Sequence, residues 1–468
     1  MKHEYNKIDQ QGIDYLKSVT APDRVYNGDA IKEEYSHDEA PEYGKYMPDV
    51  VVEALTTEEV SKVMKFAFDN CIPVTPRGAG TGLSGSAVAI YGGIVLSLAK
   101  MNKILNIDLE NLSADVEPGV MLMDLAAAAI AHDLMYPPEP GERSATLGGN
   151  VMTNAGGMRA VKYGVTRDYV RAMEVVLPDG SIIDLSSNVA KNSSGYSLKD
   201  LVIGSEGTLC IATKITLKLL PLPKKSTSLL AAYTTLEQCI DTVPKFSAAK
   251  LIPTALEYMQ RDVINAAEEF LGKSFPEKGS SAFLIITFDG NTKAEVDTYC
   301  DMAAKICIES GANDVYICDT DERKEPVWSV RGATLEAIKA TSDELDECDV
   351  VVPRNKIAEF EKYARQVCGE VHLRLTTIGH AGDGNVHVSL CRDHLPENEW
   401  HRKVKYVLDR LYRKAKELGG QVSGEHGIGH VRIDALKDFL GERTIELFKA
   451  VKHAFDEKNI LNPGKIFR

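Results

Sequence analysis

The stretch Gly379–Val388, GHAGDGNVHV, sets His380 and His387 on either side of the pair Asp383-Gly384. Seven positions apart, two histidines would share one face of a helix. Gly382 and Gly384 argue against a helix, however, and Asp-Gly is a favoured hairpin turn. With a strand on each side, the hairpin mouth brings the two rings together. Two neutral imidazoles held in that way suit a divalent transition metal such as iron or zinc. A third ligand is available in the glycine-flanked stretch 419–429, which carries Glu425 and His426 side by side. A lone buried histidine is usually a satisfied core residue. Three histidines and a glutamate in two glycine-rich stretches point to a site.

A second kind of chemistry is written in the first half of the chain. Pro76, Arg77, Gly78, Ala79, Gly80, Thr81, Gly82, Leu83, Ser84, Gly85 and Ser86 form a loop with four glycines in eight residues. Such a loop can turn successive backbone N–H groups inward as an anion nest. It is no Walker A loop, since no Gly-Lys-Ser/Thr follows, and a strand rather than a long helix comes next, which argues against a nicotinamide-type Rossmann unit. A second cluster runs from Pro137 through Pro140, Gly141, Ser144, Gly148, Gly149 and Asn150 to Asn154, Gly156 and Gly157, and a third is Gly204-Ser205-Glu206-Gly207-Thr208. Each glycine costs backbone entropy on folding. One long dinucleotide lying across several loops accounts for all of them together.

The elements that must carry these loops can be read from the pattern. Thr56 and Glu59 form a capping-box pair, and Val60, Val63, Met64 and Ala67 follow at helical spacing. Pro73–Thr75, Ile94–Leu98 and 114–116 read as short strands, and 121–134 as an alanine-rich helix. At Pro221-Leu222-Pro223-Lys224-Lys225 the texture changes. Beyond it, apolar strands (228–233, 282–288, 315–318, 350–352 and 372–378) alternate with amphipathic helices. That pattern predicts an α+β layer, an antiparallel sheet covered by helices on one face. The expected domains are 1–222, 223–418 and a C-terminal segment 419–468 that returns to the first and completes the active site.

Composition narrows the partners. The 468 residues are 44% hydrophobic and 26% charged, with a net charge of −14 that disfavours nonspecific binding to nucleic acid or anionic lipid. Met1–Gln10 is polar and lacks the apolar stretch of a signal peptide, and no run approaches the roughly 20 apolar residues of a membrane span. A cytoplasmic protein is expected. Nine scattered cysteines match no zinc or iron–sulfur spacing, so reduced and mostly buried thiols are expected, with no electron relay within the chain.

The stretches PRGAGTGLSG, GGNVMTNAGG and GSEGTLCI resemble, in order and spacing, the FAD-binding domain of the vanillyl-alcohol-oxidase or p-cresol-methylhydroxylase superfamily. The GHAGDGNVH and GEHG stretches resemble the C-terminal domain of its FAD-linked D-2-hydroxy-acid dehydrogenases. This resemblance implies a p-cresol-methylhydroxylase-type FAD domain with an antiparallel-sheet cap. It implies that the first loop cradles the pyrophosphate, and that the second and third, with Glu206, Gly207 and Ile211, line the ribityl chain and flavin. Asn462 near the C-terminus is expected to join them. Thr81 stands where some members carry the histidine that links the flavin, so non-covalent FAD is expected. By the same resemblance His380, His387 and Glu425 hold the metal and His426 is the base. Arg331 of the WxxR stretch, with Trp328, meets the substrate carboxylate, and Asn385 and His426 are expected beside the substrate.

One departure bears on the substrate. Glu347-Cys348 stands where hydroxyglutarate-oxidising members tend to carry lysine-tyrosine, a lysine suited to a second carboxylate. The expectation is therefore a small D-2-hydroxy acid, D-lactate first and glycolate next, oxidised to its 2-oxo acid. D-2-hydroxyglutarate is the alternative. Electrons are expected to leave for a partner protein of electron-transfer-flavoprotein type. A flavin-free metallohydrolase could use the same histidines but would leave the glycine loops without a purpose. A bare electron-transfer module would need neither Arg331 nor the metal ligands. An ether-lipid-type synthase of the superfamily would keep the flavin domain with different C-terminal motifs.

Overall fold

The computed structural model describes residues 5–40 and 45–468, so the first four residues of the polar Met1–Gln10 stretch lie outside it. The chain divides into two compact units. One consists of the chain up to Gly156, Val165–Leu222 and Glu425–Arg468; the other consists of Gly157–Gly164 and Pro223–Gly424. No helix among the described residues is long and apolar enough to cross a membrane. All nine cysteines are free thiols, and eight of them are buried.

Among the described residues the first unit holds two main sheets and a two-stranded pairing of Leu134–Met135 with Leu220–Pro221. In the smaller main sheet, Ile94–Ser97 lies parallel to both Val50–Glu53 and Val74–Arg77, and Val25–Asn27 closes the edge antiparallel. The glycine loop 78–86 thus leaves one parallel strand and the chain returns along its neighbour, with no helix between them. Helix Thr57–Asp69 covers this sheet with Val60, Val63, Met64 and Ala67, all fully buried. Thr56 Oγ1 accepts from the Glu59 N–H, as a capping residue should, while the Glu59 carboxylate accepts from the Leu55 N–H and pairs with Arg24. The second sheet is antiparallel, in the order Ile104–Asp108, Ser113–Val116, Ile211–Lys218, Val170–Val176 and Ile182–Leu185. The alanine-rich helix is shorter than its pattern: Leu122–Ile130 ends in a turn with Asp133 at φ 59°, and Leu134–Met135 is already a strand.

The second unit is built on seven antiparallel strands, in the order Asp314–Cys318, Lys225–Tyr233, Ala282–Gly290, Ala255–Gln260, Arg374–His380, Asn385–Cys391 and Leu345–Val351. Its central strands are buried along nearly their whole length, because helices cover both faces and not one. Two adjacent residues show it. Side chains alternate along a strand, and Glu257 reaches Arg331 on helix Asp321–Gly332, whereas Tyr258 reaches Glu361 on helix Ile357–Glu370. The expectation of a single covered face fails because continuous apolar strands such as Phe283–Phe288 are what a two-sided sheet requires.

Candidate active site

In the second unit the hairpin forms as its sequence dictates. His380 pairs with Asn385, and Ile378 lies opposite His387. Gly384, at φ 96°, takes the left-handed turn position that other residues avoid. The two imidazoles meet edge to face with ring centroids 5.4 Å apart, and both residues are buried. Their face of the sheet also carries Glu257, directly opposite His380 on the next strand. Glu257 is fully buried and binds two cations' worth of donors. Arg331 donates Nε and Nη2 to its Oε2 at 3.1 and 2.7 Å, and His380 Nδ1 lies 2.8 Å from both carboxylate oxygens. Burial pushes the Glu257 pKa up, but His380 and Arg331 outweigh it and hold the carboxyl below its usual range. An ionised carboxylate only accepts, so His380 carries a proton on Nδ1 and turns Nε2 away from Glu257.

On the other side of the hairpin, Asp349 is fully buried and lies 3.7 Å from His387 Nδ1. It accepts from Asn385 Nδ2 at 2.7 Å, Ser423 Oγ at 2.7 Å and the Gly424 N–H at 3.0 Å. Asn385 spends its second amide hydrogen on the Val350 carbonyl. Glu347, one position along the same face, has its carboxylate 4.0 Å from His387 Nδ1. A negative charge therefore stands where the sequence comparison looked for a lysine.

In the first unit, Glu425 and His426 follow directly on the anchored Gly424, with 4.0 Å between carboxylate and ring. Glu425 lies against Gly156: a Cβ there would come within 2.9 Å of its Oε2. Gly156, expected to serve the flavin, thus also makes room for Glu425. The second glycine cluster is not all loop. Leu147–Thr153 is a short helix capped by Thr146 Oγ1, and Asn154 ends it at φ 52°. The buried Asn150 Nδ2 finds no acceptor among the described residues.

Other expected flavin residues turn their side chains to the protein. Arg77 donates to the carbonyls of Glu34 and His37, stacks over Tyr35, and packs its guanidinium against Gly80 of the loop, where a Cβ would overlap it. Asn462 donates Nδ2 to the Ser86 and Glu206 carbonyls at 2.9 and 2.7 Å, which ties the first and third loops together. Gly78 and Gly207 are held by packing, since a Cβ would overlap Thr146 at the first and Pro76 at the second. Pro76, Ala79, Gly80, Thr81, Gly82, Gly85 and Ser86 lie on the first loop, Pro140, Gly141 and Ser144 on the second, and Ile211 opens the strand after the third; Gly157 begins the short piece that belongs to the other unit.

Two residues of this site were missed from sequence, Glu257 and Asp349. For Glu257 the signal was there, a lone carboxylate in an apolar strand, Leu256-Glu257-Tyr258; Asp349 shares its strand with Asp346 and Glu347 and does not stand out from them. A charge buried at such a position must be paired.

Comparison with known proteins places this arrangement. Residues 48–186 match the FAD binding domain model, and residues 222–466 match the model for the C-terminal domain of FAD linked oxidases. The chain belongs to the FAD-linked oxidase family. A protein of Anaerostipes hadrus named D-lactate dehydrogenase is 51% identical over 470 residues, covering 99% of each chain. The glycolate oxidase subunit GlcD of Bacillus subtilis is 37% identical over 453 residues, 97% of this chain and 96% of that one. A p-cresol methylhydroxylase crystal structure with substrate bound superposes with a TM-score of 0.79 at 18% identity, covering 97% of this chain and 96% of that one. The fold is accordingly of p-cresol-methylhydroxylase type, and this family member is an FAD-dependent oxidoreductase.

Proposed function

We propose that this FAD-linked oxidase is a D-2-hydroxy-acid dehydrogenase whose preferred substrate is D-lactate, with glycolate next. The observation that carries the reading is the buried line Arg331–Glu257–His380 with His387 beside it. It joins a guanidinium, a carboxylate and two imidazoles within one water-poor face, which a carboxylate-bearing alcohol needs and a bare electron carrier does not. The relatives named D-lactate dehydrogenase and glycolate oxidase subunit support the choice of acid. Glu347 beside His387 supports it too, since a like charge disfavours a second substrate carboxylate.

Arg331 has its Nη1 side left to hold the substrate carboxylate while Nε and Nη2 stay on Glu257. His426 takes the hydroxyl proton as general base. FAD, when bound, supplies the hydride acceptor, and non-covalent attachment fits Thr81 in the first loop. The donor set fits a divalent metal such as iron or zinc: His380 through Nε2, His387, and Glu425, one residue beyond the anchored Gly424. Such an ion would supply Lewis acidity toward the hydroxyl. With nine free thiols and no cysteine cluster, electrons leave for a partner protein of electron-transfer-flavoprotein type, in the cytoplasm.

An anaerobic screen of D- and L-2-hydroxy acids against the purified yellow protein tests this. Bleaching of the flavin absorption by D-lactate, less by glycolate, and hardly at all by D-2-hydroxyglutarate is expected. Bleaching by D-2-hydroxyglutarate alone, or by none, would overturn it.

A further inference from the structure

Glu206 sits in the third glycine loop, and its carboxylate is taken up by the first loop and the 427–432 stretch. Oε1 accepts from the Ile428 N–H at 2.8 Å; Oε2 accepts from the Gly429 N–H at 2.7 Å and from Ser86 Oγ. The residue is buried at 6% exposure and held at φ 53°, a left-handed conformation uncommon outside glycine. Its own N–H donates to the Met152 carbonyl and its carbonyl accepts from Asn462, so second loop, third loop and C-terminal run all fix its position. Gly427 is shaped to it: a Cβ there would lie 3.0 Å from Oε1. Around this clasp the 427–432 stretch is laced to the first loop, with the His430 N–H on the Ser84 carbonyl, the His430 ring on the Gly85 carbonyl and Arg432 on the Leu83 carbonyl.

Two adjacent backbone donors and a hydroxyl converge on one buried carboxylate. Bonds to an ionised acceptor are roughly twice as strong as neutral ones, and an amide could not accept from both N–H groups without turning its own NH2 against one. The donors belong to the residues two and three positions after His426. We propose that Glu206 is a positioning residue: it sets the loop that carries Glu425 and His426 and so aims the base, while touching neither the substrate nor the proton that moves. The inference rests on the reading of His426 as base given above.

The test uses holoenzyme: wild type, Glu206→Gln, Glu206→Asp, His426→Ala and the double variant Glu206→Gln/His426→Ala. Flavin content, hydrogen exchange of the 424–432 backbone and the rate of anaerobic flavin reduction by D-lactate are measured on each. Glu206→Gln is expected to keep FAD, to raise exchange at 428 and 429 by about tenfold or more, and to lower kcat with little change in KM. Because Glu206 acts through His426, adding Glu206→Gln to His426→Ala should slow flavin reduction no further, a non-additivity that a merely structural residue would not show. Equal slowing in both backgrounds, unchanged exchange at 428–429, or loss of FAD from both Glu206 variants would each overturn the proposal. If His426→Ala itself reduced flavin at full rate, the assignment of the base would fail, and the exchange data would still decide whether Glu206 holds the loop.

Discussion

Replacing Glu257 by glutamine is the sharpest test of the buried charge line, because it keeps the shape and removes only the charge. Glu257 is fully buried, and Arg331 beside it is 8% exposed. Breaking a buried ion pair by removing one partner costs about 3–5 kcal/mol, since the other charge stays behind without compensation. The glutamine carbonyl can still accept from Arg331, so the lower end, about 3 kcal/mol, is expected. For a unit of about 200 residues that is a fall in Tm of about 6–12 °C. A second effect follows from the tautomer. Arg331 only donates, so the amide oxygen must face it and the NH2 must face His380 Nδ1. That nitrogen then has to accept, and Nε2 carries the proton. A protonated Nε2 has no lone pair for a metal, and losing such a supporting carboxylate lowers metal affinity by about 10–100-fold. Calorimetry, metal analysis after graded chelation and flavin content, read on the same preparation, separate these effects. FAD should be retained, because the flavin loops lie in the other unit. A Glu257→Gln protein with unchanged Tm and unchanged metal affinity would refute the argument. The paired replacement Glu257→Leu/Arg331→Met is the control: with both charges gone, much of the lost stability should return while activity does not.

Three further outcomes are expected. Arg331→Lys keeps a charge but loses the planar fork, and Arg331→Ala loses both; at about 1.5–3 kcal/mol per charge-assisted bond, kcat/KM of the alanine variant should fall by about two orders of magnitude or more, and near-normal steady-state kinetics with normal flavin would retire the clamp. Asp38 is buried beside Gly82, and burial pushes its carboxyl up to about 6; between about pH 4, its unfolded value, and pH 6 the folded state holds a proton the unfolded state has released, so stability falls as pH rises through that window by about 2–3 kcal/mol, and Asp38→Asn should match wild type in apoprotein Tm near pH 4 and exceed it at pH 8. Acid precipitation should carry all the yellow colour into the supernatant if FAD is held without a covalent bond, and colour in the pellet would contradict the reading of Thr81.

What could be read from the chain, and what could not, divides along sequence distance. Helix Thr57–Asp69 and the His380–His387 hairpin were legible because cap, apolar spacing and turn residues all lie within a dozen positions of one another. The short helix Leu147–Thr153 was hidden by its glycines, which mark loops more often than helices; there the Thr146 cap and close packing against Pro118 prevail over propensity. The second covered face of the large sheet is written in its nearly continuous apolar strands, against the antiparallel pattern, which commonly leaves one face wet. The site shows the deeper limit. Arg331 and His380 lie 74 and 123 positions from Glu257, and Glu206 lies 222 and 223 positions from the amides it clasps. Nothing local links these partners. A lone carboxylate in an apolar run still announces that a partner exists, because an unpaired buried charge would unfold the strand that carries it. Leu256-Glu257-Tyr258 makes that announcement, whereas Asp349 is masked by Asp346 and Glu347 in the same strand; both Glu257 and Asp349 flank the histidines whose spacing gave the first hint of chemistry. In this family member, then, the paired histidines can be found from motif, but the carboxylates that meet them have to be sought among the acids that the core has no other reason to bury.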